Sequence, residues 1–419
     1  MSGRFAALAV LRHRQYARFA LCRFFTTLGW QMLGVAIGWR VYALTHDALA
    51  LGLVGLCEFL PFVCLVLVGG HVADQVERQR VLVIAWSIET VCIAALVWVA
   101  VTGVQQVWPI YLAIGIFGGT RAFWSPTMQA MVPNLVPREE FPRALAVNAA
   151  LFQTAVIGGP ALGGLLYLLG ATVVFGACLA LFVVTVLLGL SLHPARGVPD
   201  TAGAADSSAA QVAAVYQRGG HAFLEGLRYV LGQRVVLGVI SLDLFAVLFG
   251  GATALLPIFA GEVLHVGPAG LGLLRTAPGV GAALTAGLMT LHPVDRRAGA
   301  MMFAGVAVFG LCTLVFGDSR SFALSLGALF LLGIGDMFSV YIRGMLVQLN
   351  TPDAIRGRVS AINSMFIGAS NELGEFESGV TARWLGAVRA TLLGGALTLA
   401  VVGGWMGLFP ELRRLDELR

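Results

Sequence analysis

The sequence lacks lysine altogether, and all 27 of its basic residues are arginine. Charge of either sign is scarce, because charged residues make up 12% of the 419 positions, whereas a soluble domain carries about 25%. Hydrophobic residues make up 58%, and the mean hydropathy is +0.86. This composition excludes an ordinary soluble domain and predicts a polytopic membrane protein. We attribute the use of arginine alone to codon preference, and we expect no nucleic-acid partner.

The sequence also lacks the motifs of an enzyme or a metal protein. It contains neither a nucleotide-binding P-loop nor the nucleophile elbow of a hydrolase, so we do not expect ATP hydrolysis by this chain. The six cysteines stand singly in apolar segments, without the spacing of metal ligands or of a disulfide framework. We therefore predict no enzyme activity, no metal site and no bound cofactor.

Long hydrophobic runs are abundant. A membrane-crossing helix needs about 20 apolar residues, and the sequence predicts twelve such spans. Their approximate bounds are 17–43, 48–70, 81–102, 108–130, 143–169, 171–193, 234–261, 267–290, 299–317, 321–345, 358–384 and 387–409. The first run is too long for the core of a signal peptide, so we expect it to be retained.

One long polar segment, residues 194–233, divides the spans into two sets of six. It begins with small and polar residues and ends in "HAFLEGLRYVLGQR", where apolar residues recur at helical spacing. We predict an all-α fold of two six-helix bundles, residues 1–193 and 234–419, joined by a cytoplasmic linker with a surface amphipathic helix. The second bundle is expected to end in a short cytoplasmic tail.

Arginine positions predict the orientation of the chain. An even number of spans places both termini on one side, and arginines favour the cytoplasmic side. With the N-terminus inside, 21 of the 27 arginines lie on that face or at its helix ends. The exceptions are three outside, Arg320, Arg383 and Arg389, and three within spans, Arg40, Arg121 and Arg275. We predict a protein of a bacterial cytoplasmic (inner) membrane with both termini in the cytoplasm.

The two halves repeat each other in sequence. Four residues of the first half recur 215 positions later: Pro137, Arg143, Ala146 and Asn148 become Pro352, Arg358, Ala361 and Asn363. At an offset of 217, "EFLP" at 58–61 aligns with "RTAP" at 275–278. We infer two copies of an ancestral six-helix unit, which makes the bundles pseudo-symmetric.

The loop "GGHVADQVERQR" at 69–80 resembles the loop signature of the major facilitator superfamily. The matching residues are Gly70, Asp74, Arg78 and Arg80. The resemblance implies a latch at the inner gate, and the spacing of four would let Asp74 pair with Arg78 on a helical turn. Gln75 and Glu77 depart from the usual pattern. The alternative is a solvated charged loop that only fixes topology.

Span 5 carries "GGPALGG", which is similar to a fifth-helix motif of the same superfamily, seen mostly in its exporters and antiporters. The motif residues are Gly159, Pro160, Gly163 and Gly164. Small residues four apart allow close backbone contact, and the proline bends the helix. The alternative is a packing seam that has no bearing on the substrate. Segments in spans 7 and 11, "SLDLFAVLFGGATALLPIFA" and "NELGEFESG", further resemble the branch that includes enterobactin exporters and related efflux proteins.

Arg121 lies within span 4, in "GGTRAFWSP". An arginine inside a membrane is costly and suggests a function, and the family often keeps an arginine linked to proton coupling at this place. The alternative is a structural ion pair. Its candidate partners are Glu58, Glu89, Asp243 and Asp336.

The stretch "SNELGEFESG" places Glu372, Glu375 and Glu377 in span 11. At the 215 offset this stretch aligns with the span 5 motif, so that Gly374, Ser378 and Gly379 fall on its glycines and Glu375 falls on Pro160. Family geometry places span 11 beside span 2, which makes Glu375 and Glu58 candidates for one shared region. It also places Arg275 opposite them, facing span 5.

Depth along span 11 separates the three acids. Glu377 falls near the outer face, where a water-exposed residue or a surface pair with Arg383 is a simpler hypothesis than a transport role. For Glu372 a structural and a transport role stay equally open. Burial and a neighbouring like charge both favour the protonated form of a carboxylate, as a proton carrier needs.

Three further embedded charges are candidates for proton or substrate binding: Asp243, Asp336 and Arg40. Either aspartate could instead hold helices together through an arginine. Aromatic residues of the spans could line a site for a bulky ligand, although aromatics in helices are more often packing residues. The candidates are Trp30, Trp39, Phe123, Trp124 and Phe245.

The resemblance implies a monomeric transporter that works by alternating access in the lipid bilayer. We expect export of a small amphiphilic molecule, a siderophore or a drug-like compound, in exchange for protons. The alternatives are uptake or lipid movement by the same fold, and a membrane sensor or scaffold that transports nothing.

Overall fold

The computed structural model describes residues 8–132, 135–192, 220–292, 297–352 and 355–413. Its helices are α1 (Arg14–Thr45), α2 (Ala48–Gln75), α3 (Arg78–Thr102), α4 (Trp108–Met131), α5 (Phe141–Tyr167), α6 (Ala171–Leu190), α7 (Gly220–Gly232), α8 (Arg234–Phe249), α9 (Gly267–Leu291), α10 (Ala298–Asp318), α11 (Phe322–Leu349), α12 (Arg356–Leu385), α13 (Ala387–Leu408) and α14 (Pro410–Arg413). Short 3₁₀ turns lie at Leu8–Arg12 and Arg138–Glu140.

Long helices occupy every predicted span. Within the described residues, nine segments are long and apolar enough to cross a membrane. The other three long helices, α4, α9 and α12, have similar lengths but carry Arg121, Arg275 and the acids of span 11. These charges and the accompanying glycines lower their hydropathy.

Successive long helices run in opposite directions, which gives the bundle two ends. We call the end that holds the start of α1 and the end of α13 the terminal face, and the opposite end the distal face. Hydrogen bonds join chain segments across each end: Arg18 to the Ser191 carbonyl on the terminal face, and Arg40 to the Val104 carbonyl on the distal face.

Predicted span 7 is not one continuous helix. Helix α8 ends at Phe249, and residues 252–263 follow as a 3₁₀ turn, a single α-helical turn and a π-helical turn. Gly250 and Gly251 at the break have low helix propensity, and Pro257 cannot donate a backbone hydrogen bond. The prediction of an unbroken helix over 234–261 was wrong, because hydropathy does not register such a break.

The helices pack mainly within two groups. In the first, α1 packs against α5 and α6, α2 against α4, and α3 against α4 and α6. In the second, α8 packs against α12 and α13, α9 against α11, and α10 against α11 and α13. Two helix pairs join the groups, α2 with α12 and α5 with α9. These two pairs supply most of the contact between the groups.

Both joining pairs meet at glycines, which allow the backbones to touch. A Cβ atom built on Gly379 of α12 would lie 2.7 Å from the Cα atom of Gly52 on α2. One built on Gly164 of α5 would lie 2.8 Å from the Cα atom of Gly272 on α9. We call these two contacts the glycine seams. No side chain larger than hydrogen fits at their centres without a shift of the helices.

The seams also fix the register of the repeat. Gly164 and Gly379 are 215 residues apart, as predicted, whereas their partners Gly272 and Gly52 are 220 apart. The offset of 217 that paired Glu58 with Arg275 is therefore three residues short. By packing, the counterpart of Arg275 is Gly55. The offset differs between helices because the connecting loops differ in length.

The surface helix α7 is attached to the second group. Its Glu225 accepts a hydrogen bond of 2.5 Å from Arg358 of α12, and its Tyr229 hydroxyl donates to the Asn350 carbonyl at 2.5 Å. Gly226 packs on Ile362. The remainder of the predicted linker, residues 194–219, lies outside the described residues.

Candidate functional site

An ion cluster joins the two helix groups near the middle of the bundle. The Nη1 atom of Arg121 on α4 lies 2.6 Å from Oε1 of Glu58 on α2 and 2.7 Å from Oε1 of Glu372 on α12. Glu58 and Arg121 belong to the first group, and Glu372 belongs to the second. The cluster is thus both a bond within one group and a bond between the groups.

Local packing explains why Glu58 and Arg121 meet. A Cβ atom on Gly118 would overlap the Glu58 carbonyl group, so α2 and α4 cross in backbone contact at this point. Arg121 follows Gly118 by three residues, less than one helical turn. Its guanidinium group also lies 5.1 Å from the centre of the Phe62 ring. The Arg121 side chain remains 32% exposed, against 14% for Glu58 and 10% for Glu372.

A third carboxylate, Glu89 of α3, is held by the same turn of α4. Its Oε1 atom accepts hydrogen bonds from the Thr120 hydroxyl at 2.7 Å and from the Trp124 indole nitrogen at 2.8 Å. Thr120 and Trp124 stand four residues apart, so both side chains project from one face of the helix. Glu89 is 3% exposed, and it binds these two residues instead of Arg121.

A central cavity of about 440 Å³ lies beside these residues. Its lining residues are Thr26, Thr27, Trp30, Gln31, Glu89, Phe117, Arg121, Trp124, Phe152, Phe182 and Asn371. The ring centres of Trp30 and Phe117 are 5.1 Å apart, and those of Phe117 and Phe182 are 6.1 Å apart. The cavity is therefore an aromatic chamber with a guanidinium group and a carboxylate in its wall, a composition that suits an amphiphilic ligand.

Of the five aromatic residues suggested by the sequence, the cavity receives Trp30 and Trp124. The other three have different surroundings. Trp39 packs on Tyr42, Phe245 packs on Phe249 and Trp405, and Phe123 lines an apolar groove between α2, α3 and α4.

A smaller cavity of about 220 Å³ lies in the second group. Asp243, Asp336, Arg343, Asn371 and Glu375 supply its polar lining. Asp243 and Arg343 form a buried ion pair, with side chains 9% and 3% exposed. Among the described residues, no side chain donates a hydrogen bond to Asp336. Asn371 is exposed and also lines the central cavity, so it stands where the two cavities adjoin.

Glu375 lies close to Glu372 but has a different neighbour. A Cβ atom built on Gly55 of α2 would lie 3.0 Å from its Oε2 atom, so the carboxyl group rests on the α2 backbone. The expectation that span 11 lies against span 2 at Glu375 agrees with this contact. However, Arg121 binds Glu372, which the sequence did not favour over Glu375.

The small residues beside Glu375 face α8 and not α2. Gly374 packs against the backbone of Val247 and Leu248, and Ser378 contacts Gly251 at the break in span 7. In the first group, Gly159 and Gly163 pack in the same way on Gln31 and Met32 of α1. The motif of span 5 is thus a packing motif with two faces, one towards α1 and one towards α9.

Among the described residues, two other predicted candidates form no ion pair with the cluster. The guanidinium group of Arg275 packs against Gly34 of α1, while its helix α9 packs against α5 as expected. The charge of Arg275 acts on Glu58 and Glu375. Arg40 donates to the Val104 carbonyl oxygen at 3.2 Å near the distal face. Its place at the end of the bundle separates it from both cavities.

Polar contacts also join the two groups at the distal face. Arg383 of α12 lies 3.3 Å from Asp47, which caps the first turn of α2. Tyr42 and His46 at the end of α1 approach Glu262 at 3.3 and 3.9 Å. We call these contacts the distal latch. The predicted surface pair of Glu377 with Arg383 was wrong, because Glu377 accepts a hydrogen bond from Thr381 instead.

The predicted gating loop lies between two helices. Helix α2 ends at Gln75 and α3 begins at Arg78, so Asp74 and Arg78 do not share a helical turn. Arg80 pairs with Glu77 at 2.9 Å. The surroundings of Gly70 and the side chain of Asp74 lie outside what the structure describes, and the gating role of this loop stays a prediction.

Sequence reasoning missed Glu89 as a site residue and considered it only as a partner for Arg121. Two features of the sequence could have identified Glu89 as a site residue. It is an acid inside a span, which is costly without a partner, and the span 4 motif offers two neutral donors, Thr120 and Trp124, at helical spacing. The pairing itself could not be foreseen, because it depends on how α3 and α4 are rotated against each other.

A membrane transporter is the class of protein indicated by two groups of membrane helices with a cavity and an ion cluster between them. Comparison with solved structures identifies the fold. The nucleoside transporter NupG (D323A mutant) superimposes with a TM-score of 0.71 at 14% identity, covering 94% of this chain and 100% of that one. A POT family transporter in complex with 5-aminolevulinic acid gives 0.72 at 10% identity, with 95% and 96% covered. The fold is the major facilitator fold, as predicted.

Residues 5–419 match the family of transmembrane secretion effectors, and the chain belongs to this family of the major facilitator superfamily. An enterobactin exporter of Citrobacter koseri is 28% identical over 418 residues, covering 97% of this chain and 94% of that protein. One of Shigella dysenteriae serotype 1 is 27% identical over 389 residues, with 91% and 85% covered. The resemblance noted in the sequence is confirmed, and the protein is a multi-pass transporter and not an enzyme.

Proposed function

We propose that the protein exports a small amphiphilic molecule, a siderophore or drug-like compound, in exchange for protons. The ion cluster of Glu58, Arg121 and Glu372 carries this proposal, because it joins the two helix groups beside the central cavity. Export is favoured by the span 5 motif and by relatives named as enterobactin exporters. The proton gradient would supply the energy, without a bound cofactor.

Alternating access requires the two groups to separate on one side of the membrane at a time. In the described conformation, the distal latch, the glycine seams and the ion cluster connect the groups from the distal face to mid-depth. With the termini in the cytoplasm of a bacterial cell, the distal face points outward. We take this conformation as inward-facing, with the outer side closed.

Proton exchange follows from the chemistry of the cluster. Pairing with Arg121 requires Glu372 to be ionised, so closure of the outer side releases any proton that Glu372 carries. A substrate that binds Arg121 or its partner acids weakens the link between the groups and allows the outer side to open. Outside, separated from Arg121, Glu372 takes up a proton and the carrier returns. Glu58 stays beside Arg121 throughout, because both belong to one group.

The proposal is tested in proteoliposomes with an imposed pH gradient, using enterobactin and ethidium as two transport probes. Glu372→Gln is expected to abolish gradient-driven transport while it preserves exchange of the probe between the two sides at equal pH. Glu58→Gln and Glu375→Gln complete the set. Glu377→Gln is the matched control, because Glu377 lies on the same helix but bonds only to Thr381 among the described residues.

Full gradient-driven transport in both Glu58→Gln and Glu372→Gln would refute the proposed proton roles. Accumulation of the probe along an inward proton gradient would show uptake instead of export. Absence of proton flux with every probe, from protein shown to be folded, would favour the alternative of a sensor or scaffold.

A further inference from the structure

Glu89 is a buried acid that takes no part in the proposed proton exchange by Glu58, Arg121 and Glu372. Both of its hydrogen-bond donors, the Thr120 hydroxyl and the Trp124 indole nitrogen, reach one oxygen, Oε1. Among the described residues, no group donates to the other oxygen, Oε2. Because Glu89 is a lining residue of the central cavity, this second oxygen is the part of the side chain left for a ligand.

The donors that hold Glu89 are both neutral. A carboxylate withdrawn from water needs an opposite charge or a proton to compensate for lost hydration. The nearest arginine in the cavity wall, Arg121, is already engaged by two carboxylates. Glu89 therefore has hydrogen bonds that fix its orientation but no positive charge of its own.

Aromatic rings surround the same cavity. Trp30, Phe117, Trp124 and Phe182 line it, and the closest pair of ring centres lies 5.1 Å apart. The faces of such rings attract cations, most strongly where water is excluded. A carboxylate oxygen and several ring faces at one place form a receptor for an organic cation.

The charged residues around the two cavities are predominantly acidic. Six carboxylates line or adjoin the cavities, and four guanidinium groups lie near them. The acids are Glu58, Glu89, Asp243, Asp336, Glu372 and Glu375; the arginines are Arg23, Arg121, Arg275 and Arg343. The excess of carboxylates favours a positively charged guest over an anion.

We infer that the central cavity binds aromatic organic cations, with the Glu89 carboxylate as the negative charge opposite the cationic group and the rings of Trp30, Phe117 and Trp124 around it. The inference rests on the proposed function and narrows its substrate to a charge class. It also gives Glu89 a role distinct from that of the ion cluster, namely recognition of the substrate and not linkage of the two helix groups.

Binding to the full-length protein in nanodiscs tests this inference without any gradient. The probe is radiolabelled tetraphenylphosphonium, with unlabelled tetraphenylphosphonium, neutral triphenylphosphine oxide and anionic tetraphenylborate as competitors of similar size. The wild-type protein should prefer the cation to the neutral molecule by about tenfold or more, because opposite charges attract strongly inside a protein. Glu89→Gln should bind both equally, and Glu377→Gln should behave as the wild type.

Each outcome decides. Unchanged affinity of Glu89→Gln for tetraphenylphosphonium overturns the inference, and so does a wild-type protein that binds the neutral or anionic competitor as well as the cation. If Glu89→Gln does not fold, the wild-type preference alone gives the answer. A protein that binds the cation selectively but never exchanges it for protons would refute the proposed function and leave this inference intact. Proton-coupled transport without preference for cations would support the proposed function and refute this inference.

Discussion

Thr120, Arg121 and Trp124 occupy a single turn of α4 and together bind three carboxylates. Thr120 and Trp124 hold Glu89, and Arg121 holds one acid from each helix group. The segment "GGTRAFWSP" therefore positions both Glu89 in the wall of the cavity and the ion cluster that links the two helix groups. Its glycines matter equally, because Gly118 brings α2 close enough for Glu58 to reach Arg121.

The buried pair of Asp243 and Arg343 permits a prediction of stability. Asp243→Asn leaves the Arg343 guanidinium group, which is 3% exposed, without its ion-pair partner. Breaking a buried ion pair on one side typically costs about 3–5 kcal/mol. We expect a large fall in the thermal unfolding temperature of the detergent-solubilised protein, measured by fluorescence-detected size-exclusion chromatography.

The double variant Asp243→Asn/Arg343→Met serves as the control. It removes both charges and should recover most of the lost stability, since an apolar pair of similar volume is often no worse than a buried ion pair. Equal stability of the wild type and Asp243→Asn would show that the pair has no structural role. That result would favour the alternative that Asp243 binds protons.

The charged residues of the site could be recognised from the sequence, but their partners could not. An acid or arginine within an apolar span is conspicuous in any membrane protein. Whether Glu372 or Glu375 reaches Arg121 depends on a rotation of α12 by about 60°, well within the range that packing decides. The glycine contacts on α2 and α8 determine that rotation, and they join segments more than 100 residues apart in the sequence.

At the scale of helices, hydropathy predicted most of the bounds, because a span must match the thickness of the bilayer. The break after Phe249 escaped prediction. Its backbone groups need partners within the protein, and the break packs against Gly374 and Ser378 of α12. Such a break is stable in a membrane only when another helix of the protein packs against it.

The glycine seam between α2 and α12 provides a second prediction. A methyl group at position 379 would meet the Gly52 backbone at 2.7 Å, so Gly379→Ala should push the helices apart. Overpacking of this kind costs about 1–3 kcal/mol, enough to shift a conformational equilibrium by about fivefold to a hundredfold. Electron-resonance distances between spin labels at Gln105 and Asp318, in a background without reactive cysteines, should show a longer component at the distal face.

The matched control is Gly368→Ala on the same helix, where no other atom lies within 4 Å of a built Cβ atom. It should leave the distance distribution unchanged. An identical distribution for Gly379→Ala would mean that the seam does not limit closure of the distal side.

At the scale of the whole molecule, the prediction concerns orientation. A fluorescent protein fused after Arg419 should be fluorescent in the cytoplasm of a bacterial host. Alkaline phosphatase fused after Gln105, in the loop between α3 and α4 on the distal face, should be active, because this enzyme matures only outside the cytoplasm. The opposite pattern would reverse the orientation and, with it, the side on which the cavity is taken to open.

Arginine counts predicted this orientation, and the structure shows a partner for one of the three arginines predicted to lie outside. Arg383 bonds Asp47 across the two helix groups, which explains why a positive charge is kept on a face that otherwise has few. The sequence could place Arg383 outside, but it could not identify its partner, which lies 336 residues away.

The glycine seams have a consequence for speed. Where side chains interlock, two helices part only after bulky groups have turned out of each other's way. At Gly52 with Gly379 and at Gly164 with Gly272, bare main chain rests on bare main chain. Attraction there is the sum of many weak dispersion contacts that fade smoothly with distance. These surfaces can separate and meet again without any rearrangement in between, so opening on either side is limited by the charges that must be broken and not by the fit of the helices.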